Sequence, residues 1–468
     1  MKLNKNHIIL LVAGLSITSC KVAEVYKSPE VRTDNIYRQD NPQNDSVSLA
    51  SLSWKELFTD TYLQNLIQKG LENNVDMKNS ILTILQSQAS LKQAKLSFYP
   101  TLEGTAQVSH SKTSLRSLNM GGISNQINLK TTSYQVGMSA SWEADIWGKI
   151  GSLKRQALAN YLESEAAQRA VQTQLISNIA NNYYLLLSLD KQLFITEKTI
   201  ENRKKDVETM KALKESAVVT GAAVVQSQAN QYSAEVSIPD LKKQIRETEN
   251  MLSVLIGDIP GEIERSTLDS QNVTATISTG LSTDLLRNRP DIQQAELNFR
   301  SAFEDVNVSK ASFYPSLTLT AQGGVSTLHL KDFFSNSIFY SLIGGLTQPI
   351  FSQGKNKMNL TISKAKKEAA LNTFQQTFLN AGQEVSDALY SYNTALEKQN
   401  IRKNQLIYLN KSVDFTKELL SYTSDVNYTD VLTSEQSLLS AELSSIDDKV
   451  QELQAVVNLY VALGGGIK

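Results

Sequence analysis

A single cysteine in 468 residues rules out a disulfide within the chain and a zinc site built on several thiolates. Histidine is almost as scarce. His7 falls in the N-terminal leader, and neither His110 nor His329 has a second His, a Cys or a paired carboxylate at ligand spacing, so no metal set is expected. With 21 Gly and 8 Pro the two make about 6% of the chain, against about 12% in an average globular protein. That shortage disfavours a many-turned β-sandwich and favours long, uninterrupted elements. Basic residues are not in excess: 46 Lys and Arg face 47 Asp and Glu, which excludes the positive field that a nucleic acid backbone requires. Gly344-Gly345 and Gly464-Gly465-Gly466 lack the following helix with Lys and Ser or Thr that a nucleotide loop needs. No enzyme site and no cofactor site emerge from these residues.

The N-terminus carries a positive charge and then an apolar run. Lys2 and Lys5 precede Ile8 to Leu15, and Ile17-Thr18-Ser19-Cys20 follows. The apolar core is too short to span a bilayer as a helix and reads as a secretory signal over residues 1–19. Its ending resembles the bacterial lipobox, in which the chain is cut before a cysteine that then receives lipid. Loss of Lys2 and Lys5 takes the formal charge from −1 to −3, so the mature chain has no basic face for anionic lipid and its anchor would be covalent, an acyl group such as palmitate on Cys20.

The chain repeats itself. Ser97-Phe98-Tyr99-Pro100, followed by Leu102 and Ala106-Gln107, recurs as Ser312-Phe313-Tyr314-Pro315, followed by Leu317 and Ala321-Gln322. Val224-Val225 to Ser233-Ala234-Glu235 likewise echoes Val431-Leu432 to Ser440-Ala441-Glu442. Each copy holds two segments of two-residue period. Leu102, Gly104, Ala106 and Val108 alternate with polar residues, as do Tyr134, Val136, Met138, Ala140 and Trp142, and Leu317, Leu319, Ala321 and Val325. These predict half-apolar strands. The fourth segment, Ile338 to Thr347, is less regular, with Tyr340, Leu342 and Leu346 on one face and Phe339 and Ile343 on the other. The link from Ser111 to Thr131 is polar, contains Gly121-Gly122 and reads as a solvent loop.

The remainder is helical. Ser152 to Thr220 contains neither Gly nor Pro, and Ile179, Leu186, Leu193, Ile200 and Val207 fall seven apart within it. Val385, Tyr392, Leu406, Val413 and Leu420 keep that period, with Gln399 in the gap. Leu439, Leu443, Ile446, Val450, Leu453, Val457 and Tyr460 alternate spacings of four and three, a coiled-coil seam. Such seams pack helices together and imply no chemistry.

Four amphipathic strands cannot close a membrane barrel, because each unpaired backbone group in hydrocarbon costs several kcal/mol and the smallest barrels have about eight strands. Two copies of the chain give eight strands and a filled interior; three give twelve and room for a lumen. The chain is therefore expected to be an oligomer, and a trimer if there is a pore.

Four motifs now stand in order. Leu285-Leu286-Arg287-Asn288-Arg289-Pro290-Asp291-Ile292 precedes Ala295-Glu296; Trp142-Glu143-Ala144-Asp145-Ile146-Trp147-Gly148-Lys149 lies upstream; Gln348-Pro349-Ile350-Phe351 with Gly354 and the Leu459 to Gly466 ending lie downstream. With them the chain resembles the outer-membrane efflux channels of the TolC type, in the lipoprotein branch that serves multidrug pumps of the RND type, over about residues 54 to 466. Arg289-Pro290-Asp291 also reads as a helix start, with proline in the first turn and an acidic group at the positive end.

The resemblance implies a mostly α protein with a small transmembrane β part. A duplicated unit of helix, strand, strand and helix would build a long coiled-coil-like helical barrel and one third of a trimeric twelve-stranded β-barrel, four strands per chain. Residues 20–53 would be a lipid-anchored linker along the outside of the tube, 54–284 the first repeat and 285–468 the second, with a belt around Leu255 to Asp284. The protein would be a passive exit duct for drugs or other small solutes. It would sit in the bacterial outer membrane in contact with its lipid, reach into the periplasm, and work with a periplasmic adaptor and an inner-membrane pump. A chain ending at Lys468 without a long tail fits solute efflux better than protein secretion. Absent a pore, the same helices would suit a lipid-anchored coiled-coil scaffold of the cell envelope.

In that family the periplasmic helix turns converge and close the tube. Here the turns are expected near Val218 to Gly221 and from Tyr422 to Tyr428, which makes Val218, Gly221, Tyr422, Asp425, Tyr428 and Asp430 the candidate gate. The same residues also suit ordinary solvated turns. Three Asp425 carboxylates meeting on an axis would favour cations.

Overall fold

The structure is a computed structural model and describes residues 22–31, 36–38, 52–114, 130–272, 283–422 and 427–465. Nine α-helices and four strands are found among them. The chain begins with α1 (Trp54–Leu57), α2 (Thr61–Asn73) and α3 (Val75–Leu96), makes the hairpin β1 (Thr101–Lys112) and β2 (Lys130–Ala144), and continues in α4 (Lys149–Glu215), α5 (Gly221–Glu235) and α6 (Ser237–Leu255). After α7 (Pro290–Ala311) come β3 (Ser316–Thr327) and β4 (Ile338–Thr347), then α8 (Lys355–Tyr422) and α9 (Tyr428–Ala462). Each half thus contains a helix, a hairpin, a very long helix and a returning helix in that order.

The long helices follow from the scarcity of breakers. α4 runs 67 residues and α8 runs 68. The expected span from Ser152 to Thr220 is displaced toward the N-terminus, starting at Lys149 and stopping at Glu215. Asp145 starts it early: its carboxylate accepts from the N–H groups of Ile150 at 2.9 Å and Gly151 at 2.7 Å, while Gly148 takes the left-handed turn at φ 75°. Pro290 opens α7 with Asp291 in its first turn, as the motif predicts.

Two compact units divide the chain. One comprises Met1–Pro29, Leu85–Leu162 and Glu296–Asn372 and holds the sheet, whose order is β1-β2-β3-β4, antiparallel throughout. Pro100 and Pro315 stand just ahead of β1 and β3, where a residue without an N–H removes no ladder bond. The turns they close are lashed by three motif side chains and by Asn356 of α8. Trp142 Nε1 donates to the Phe98 carbonyl, Trp147 Nε1 to that of Pro315, Gln348 to that of Phe313 and Asn356 to that of Ser312. In the same unit Glu24 exchanges two 3.0 Å bonds between its backbone and the Asn307 side chain, and Tyr26 packs beside Phe299 and Phe303 of α7.

The other unit comprises Glu30–Ile84, Glu163–Ala295 and Thr373–Lys468 and contains the main core. Its spine is the heptad seam read from the sequence: Ile179, Leu186, Val385, Val457 and Tyr460 are fully buried. Arg289 ties three helices of this unit together. Its guanidinium donates to the Ala462 carbonyl at the end of α9 and pairs with Asp291 on α7 and Glu384 on α8, each at 2.7 Å.

Candidate functional site

Register divides the sheet into two chemically distinct faces. The row Leu102, Ala140, Ala321, Leu342 lies on one side, together with Val136, Val325 and Ile338, and with Met138, Gly323 and Tyr340. Every side chain on that side between Leu102 and Val108, between Tyr134 and Ala144, and along β3 from Leu317 to Val325 is apolar or aromatic. The opposite side carries Glu103, Thr105, Gln107, Gln135, Ser139, Ser141, Thr318, Thr320, Gln322 and Ser341. Nothing among the described residues covers the apolar side: Tyr340, Leu342 and Leu346 are 83%, 78% and 67% exposed. A patch of this size is foreign to a water-exposed surface and suited to lipid.

Phe339 and Ile343 stand on the polar side, and the first has a definite task. Gly137, Gly324 and Phe339 share one row, and a Cβ on Gly137 would meet the Phe339 ring at 3.5 Å. The phenyl group fills what two glycines leave open. Gly324 itself accommodates no side chain, since a Cβ there would lie 2.5 Å from Gly137 Cα and collide with the Val136 carbonyl oxygen.

The strands extend beyond the expected limits. Ser111, Lys112, Lys130 and Thr131, read as loop, pair within the β1–β2 ladder. Backbone hydrogen bonds alone sustain a ladder where no apolar face has to be kept, and such a rim leaves no alternation to read. His110 lies in this part of β1 and its Nδ1 is 2.8 Å from Thr132 Oγ1, while His329 precedes the short 3₁₀ turn Leu330–Asp332. Among the described residues no group of three or more His, Cys, Asp or Glu is assembled, and no helix is long and apolar enough to cross a membrane.

Both helix turns lie in the second unit and meet each other. Met210 of α4, Val224 of α5, and Tyr428 and Val431 of α9 form a small buried core, with Leu213, Val219 and Leu420 against it. The first turn is a Schellman motif: Val218 N–H bonds the Leu213 carbonyl and Ala217 N–H that of Lys214. Its left-handed residue is Ala217, at φ 60°, and Gly221 is instead the first residue of α5. At the second turn Asn427 caps α9 by accepting from Thr429 and Asp430 N–H, and the Asp430 carboxylate accepts from Asn427 N–H at 2.9 Å. Of the candidate gate residues, then, Val218 and Tyr422 are exposed, Tyr428 is buried within its own chain and Asp430 is engaged as a cap. Asp425 and the candidate lipid anchor Cys20 lie outside the described residues.

Charges absent from the sequence reading underlie this small core. Lys417 of α8 pairs with Glu435 of α9 at 2.5 Å and with Asp206 of α4 at 3.2 Å. Burial and the Asp206 charge raise the Glu435 carboxyl above the ordinary range despite Lys417. Burial opposes the charge on Lys417, yet Glu435 and Asp206 hold it above the usual lysine value. Asp206 and Lys417 adjoin the heptad positions Val207 and Val413 to Leu420, and that adjacency is the only trace of the cluster in the sequence.

A family model for outer membrane efflux proteins matches residues 66–258 and 281–465. The probable efflux pump outer membrane protein TtgC of Pseudomonas putida is 30% identical over 477 residues, covering 99% of this chain and 96% of the relative. The cation efflux system protein CusC of Escherichia coli K12 is 27% identical over 462 residues, covering 97% and 98%. Among solved structures, the open state of the Neisseria gonorrhoeae outer membrane channel MtrE superposes with a TM-score of 0.84 at 26% identity, covering 96% of this chain and 99% of that one.

Proposed function

The chain belongs to the outer membrane efflux protein family, and on that premise we propose that it is the passive outer-membrane exit duct of a tripartite efflux system, working as a homotrimer. It is a channel protein and not an enzyme. The observation that carries the proposal is the four-stranded sheet, apolar on one face, polar on the other and open at β1 and β4. In hydrocarbon each open edge leaves backbone groups unpaired. Pairing β1 of one copy with β4 of the next removes every edge at once, and three copies make twelve strands around a lumen lined by Glu103, Gln107, Ser139 and Thr320. Strands of 10 to 15 residues are long enough to cross when tilted.

The long helices extend the duct through the periplasm to a periplasmic adaptor and an inner-membrane pump, which supply contact and energy. The pump selects the drugs or other small solutes that leave, and a lipid on Cys20 adds a second hold on the membrane. The two turns form the gate. Val218 and Tyr422 face outward and are free to meet other copies, Gly221 starts the returning helix, and Asp425 supplies the charge. Tyr428 and Asp430 act from within their own chain by holding the turns together.

The test is direct. Purified full-length protein should size as three chains in detergent and conduct ions in a planar bilayer. A single-copy protein that never conducts would instead be a coiled-coil scaffold of the envelope.

A further inference from the structure

Seven buried side-chain polar atoms among the described residues have no hydrogen-bond partner, and Asp206 Oδ2 and Glu435 Oε2 are two of them. The other oxygen of each carboxylate is bound to the same ammonium, Lys417 Nζ. Asp206 belongs to α4, Lys417 to α8 and Glu435 to α9, so a single cation serves two anions at the meeting of three helices. Both carboxylates are largely shielded, with 16% and 12% of their side-chain surface exposed. They also lie within hydrogen-bonding reach of one another.

Two buried carboxylates with one counter-charge do not both ionise readily. A proton shared by the two carboxyl groups resolves the geometry, because Glu435 then donates to Asp206. The remaining groups around the pair do not replace that proton. Arg203 of α4 directs Nη1 to the Asn230 carbonyl of α5 and Nη2 to Gln436 Oε1 of α9, and its buried Nε bonds neither carboxylate. Tyr428, on the same helix as Glu435, is neutral, and α5 presents the uncharged Ser227 beside it. α8 presents Lys417.

We propose that Asp206 and Glu435 hold one proton between them, and that this shared proton is a pH-sensitive latch joining α4 to α8 and α9 beneath the turns. The inference rests on the channel reading for its consequence. With the proton in place, α4 and α9 are drawn together and the contact of Met210 and Val224 with Tyr428 and Val431 is secured. When the proton leaves to water, two negative charges face each other across the joint and the turns loosen. Burial raises the Glu435 carboxyl, so the latch is complete below the ordinary carboxylate range and fails as pH rises through the raised value. The duct is accordingly held shut in mildly acidic surroundings and opens more readily toward alkaline pH.

The test uses the full-length protein and reads the proton and the joint separately from conduction. Infrared difference spectra should show a protonated carboxyl that titrates above the ordinary glutamate range in the wild type and is missing in Glu435→Gln; its absence from the wild type, or its persistence in the variant, overturns the proposal. Spin labels at Glu215→Cys, an exposed position at the end of α4, should spread apart between copies as pH rises. In Glu435→Gln, whose amide donates to Asp206 at every pH, the distance should stay constant. Equal pH dependence in both backgrounds, or none in the wild type, rejects the latch. Lys417→Met should move the wild-type midpoint to at least tenfold lower proton concentration, because the counter-charge that favours ionisation is gone. A midpoint moved the other way contradicts the shared-proton geometry. Bilayer recordings are then a separate measurement: a labelled joint that moves in a chain that never conducts refutes the duct and leaves the latch standing.

Discussion

Phe339 closes over Gly137 across an intervening strand, its ring 3.5 Å from where a Cβ on that glycine would stand. The pair explains why β4 breaks the alternation that the other strands keep. It also ranks two substitutions. Gly324→Ala drives a methyl group into the β2 backbone and is expected to cost about 3 kcal/mol or more, whereas Phe339→Ala uncovers a half-buried surface and costs about 1 to 2 kcal/mol. The temperature at which the oligomer dissociates in detergent should fall in that order, and the reverse order would contradict the close approach at Gly324.

Ala217 occupies a left-handed position that glycine adopts without strain. Ala217→Gly should therefore stabilise the α4–α5 turn by roughly 0.5 to 1 kcal/mol after the entropy of the unfolded chain is counted. Urea unfolding compared with the wild type checks the sign, and a destabilised variant would mean that the turn is not built this way.

Arg289 is nearly enclosed, and its three acceptors lie on three helices. Asp291 and Glu384 are 40% and 55% exposed, so water relieves part of the loss, and Arg289→Met should cost about 2 to 3 kcal/mol rather than the larger penalty of a fully buried pair. Arg289→Lys should recover little, since an ammonium cannot reproduce a fork that bonds two carboxylates and a carbonyl. Denaturant midpoints for the two variants should nearly coincide.

Asp60 caps α2 and gathers hydrogen bonds from Ser266, Tyr183, Gln271 and the Tyr62 N–H. Burial alone would raise its carboxyl, but those donors outweigh it and hold the group below the ordinary aspartate range. Its contribution is therefore complete above that range and is lost as pH falls through the lowered value. Asp60→Asn should lower stability at neutral pH and flatten the acid limb of the stability profile. A profile parallel to the wild type would show that the network does not favour the charge.

Cys20 should carry the lipid. Cells fed radiolabelled fatty acid should incorporate label into the wild type, and Cys20→Ala should lose it and be processed poorly or differently. Equal labelling of both would remove the anchor from the proposed function.

Much of the architecture was legible because it rests on periodicity. Alternation at Leu102 to Val108 and at Tyr134 to Trp142 specifies which residues share the apolar face of the sheet, and the seven-residue spacing from Ile179 to Val207 specifies which face of α4 is packed. The motif around Arg289-Pro290-Asp291 announced a helix start. It did not announce the Ala462 carbonyl and Glu384, more than ninety residues further along, as partners.

The tips were legible only in position. That the chain turns near Val218 and again before Tyr428 is what the family resemblance implies. That Ala217 rather than Gly221 takes the left-handed conformation depends on where the last bonded turn of α4 falls. Tyr428 and Asp430 read as gate residues or as ordinary solvated turn residues. Packing against Met210 and Val224 buries the first, and the capping box engages the second.

By itself the sequence determined the duplicated plan, the two-faced sheet with too few strands to close, and the seams of the long helices, since each depends on the spacing of residues along one element. Tertiary structure alone decided that Phe339 covers Gly137 and that Asp206 and Glu435 share Lys417. Residues 211 and 229 positions apart in the chain acquire a common environment only when α4, α8 and α9 pack, and the protonation of a carboxylate depends on the charges and water around it in space.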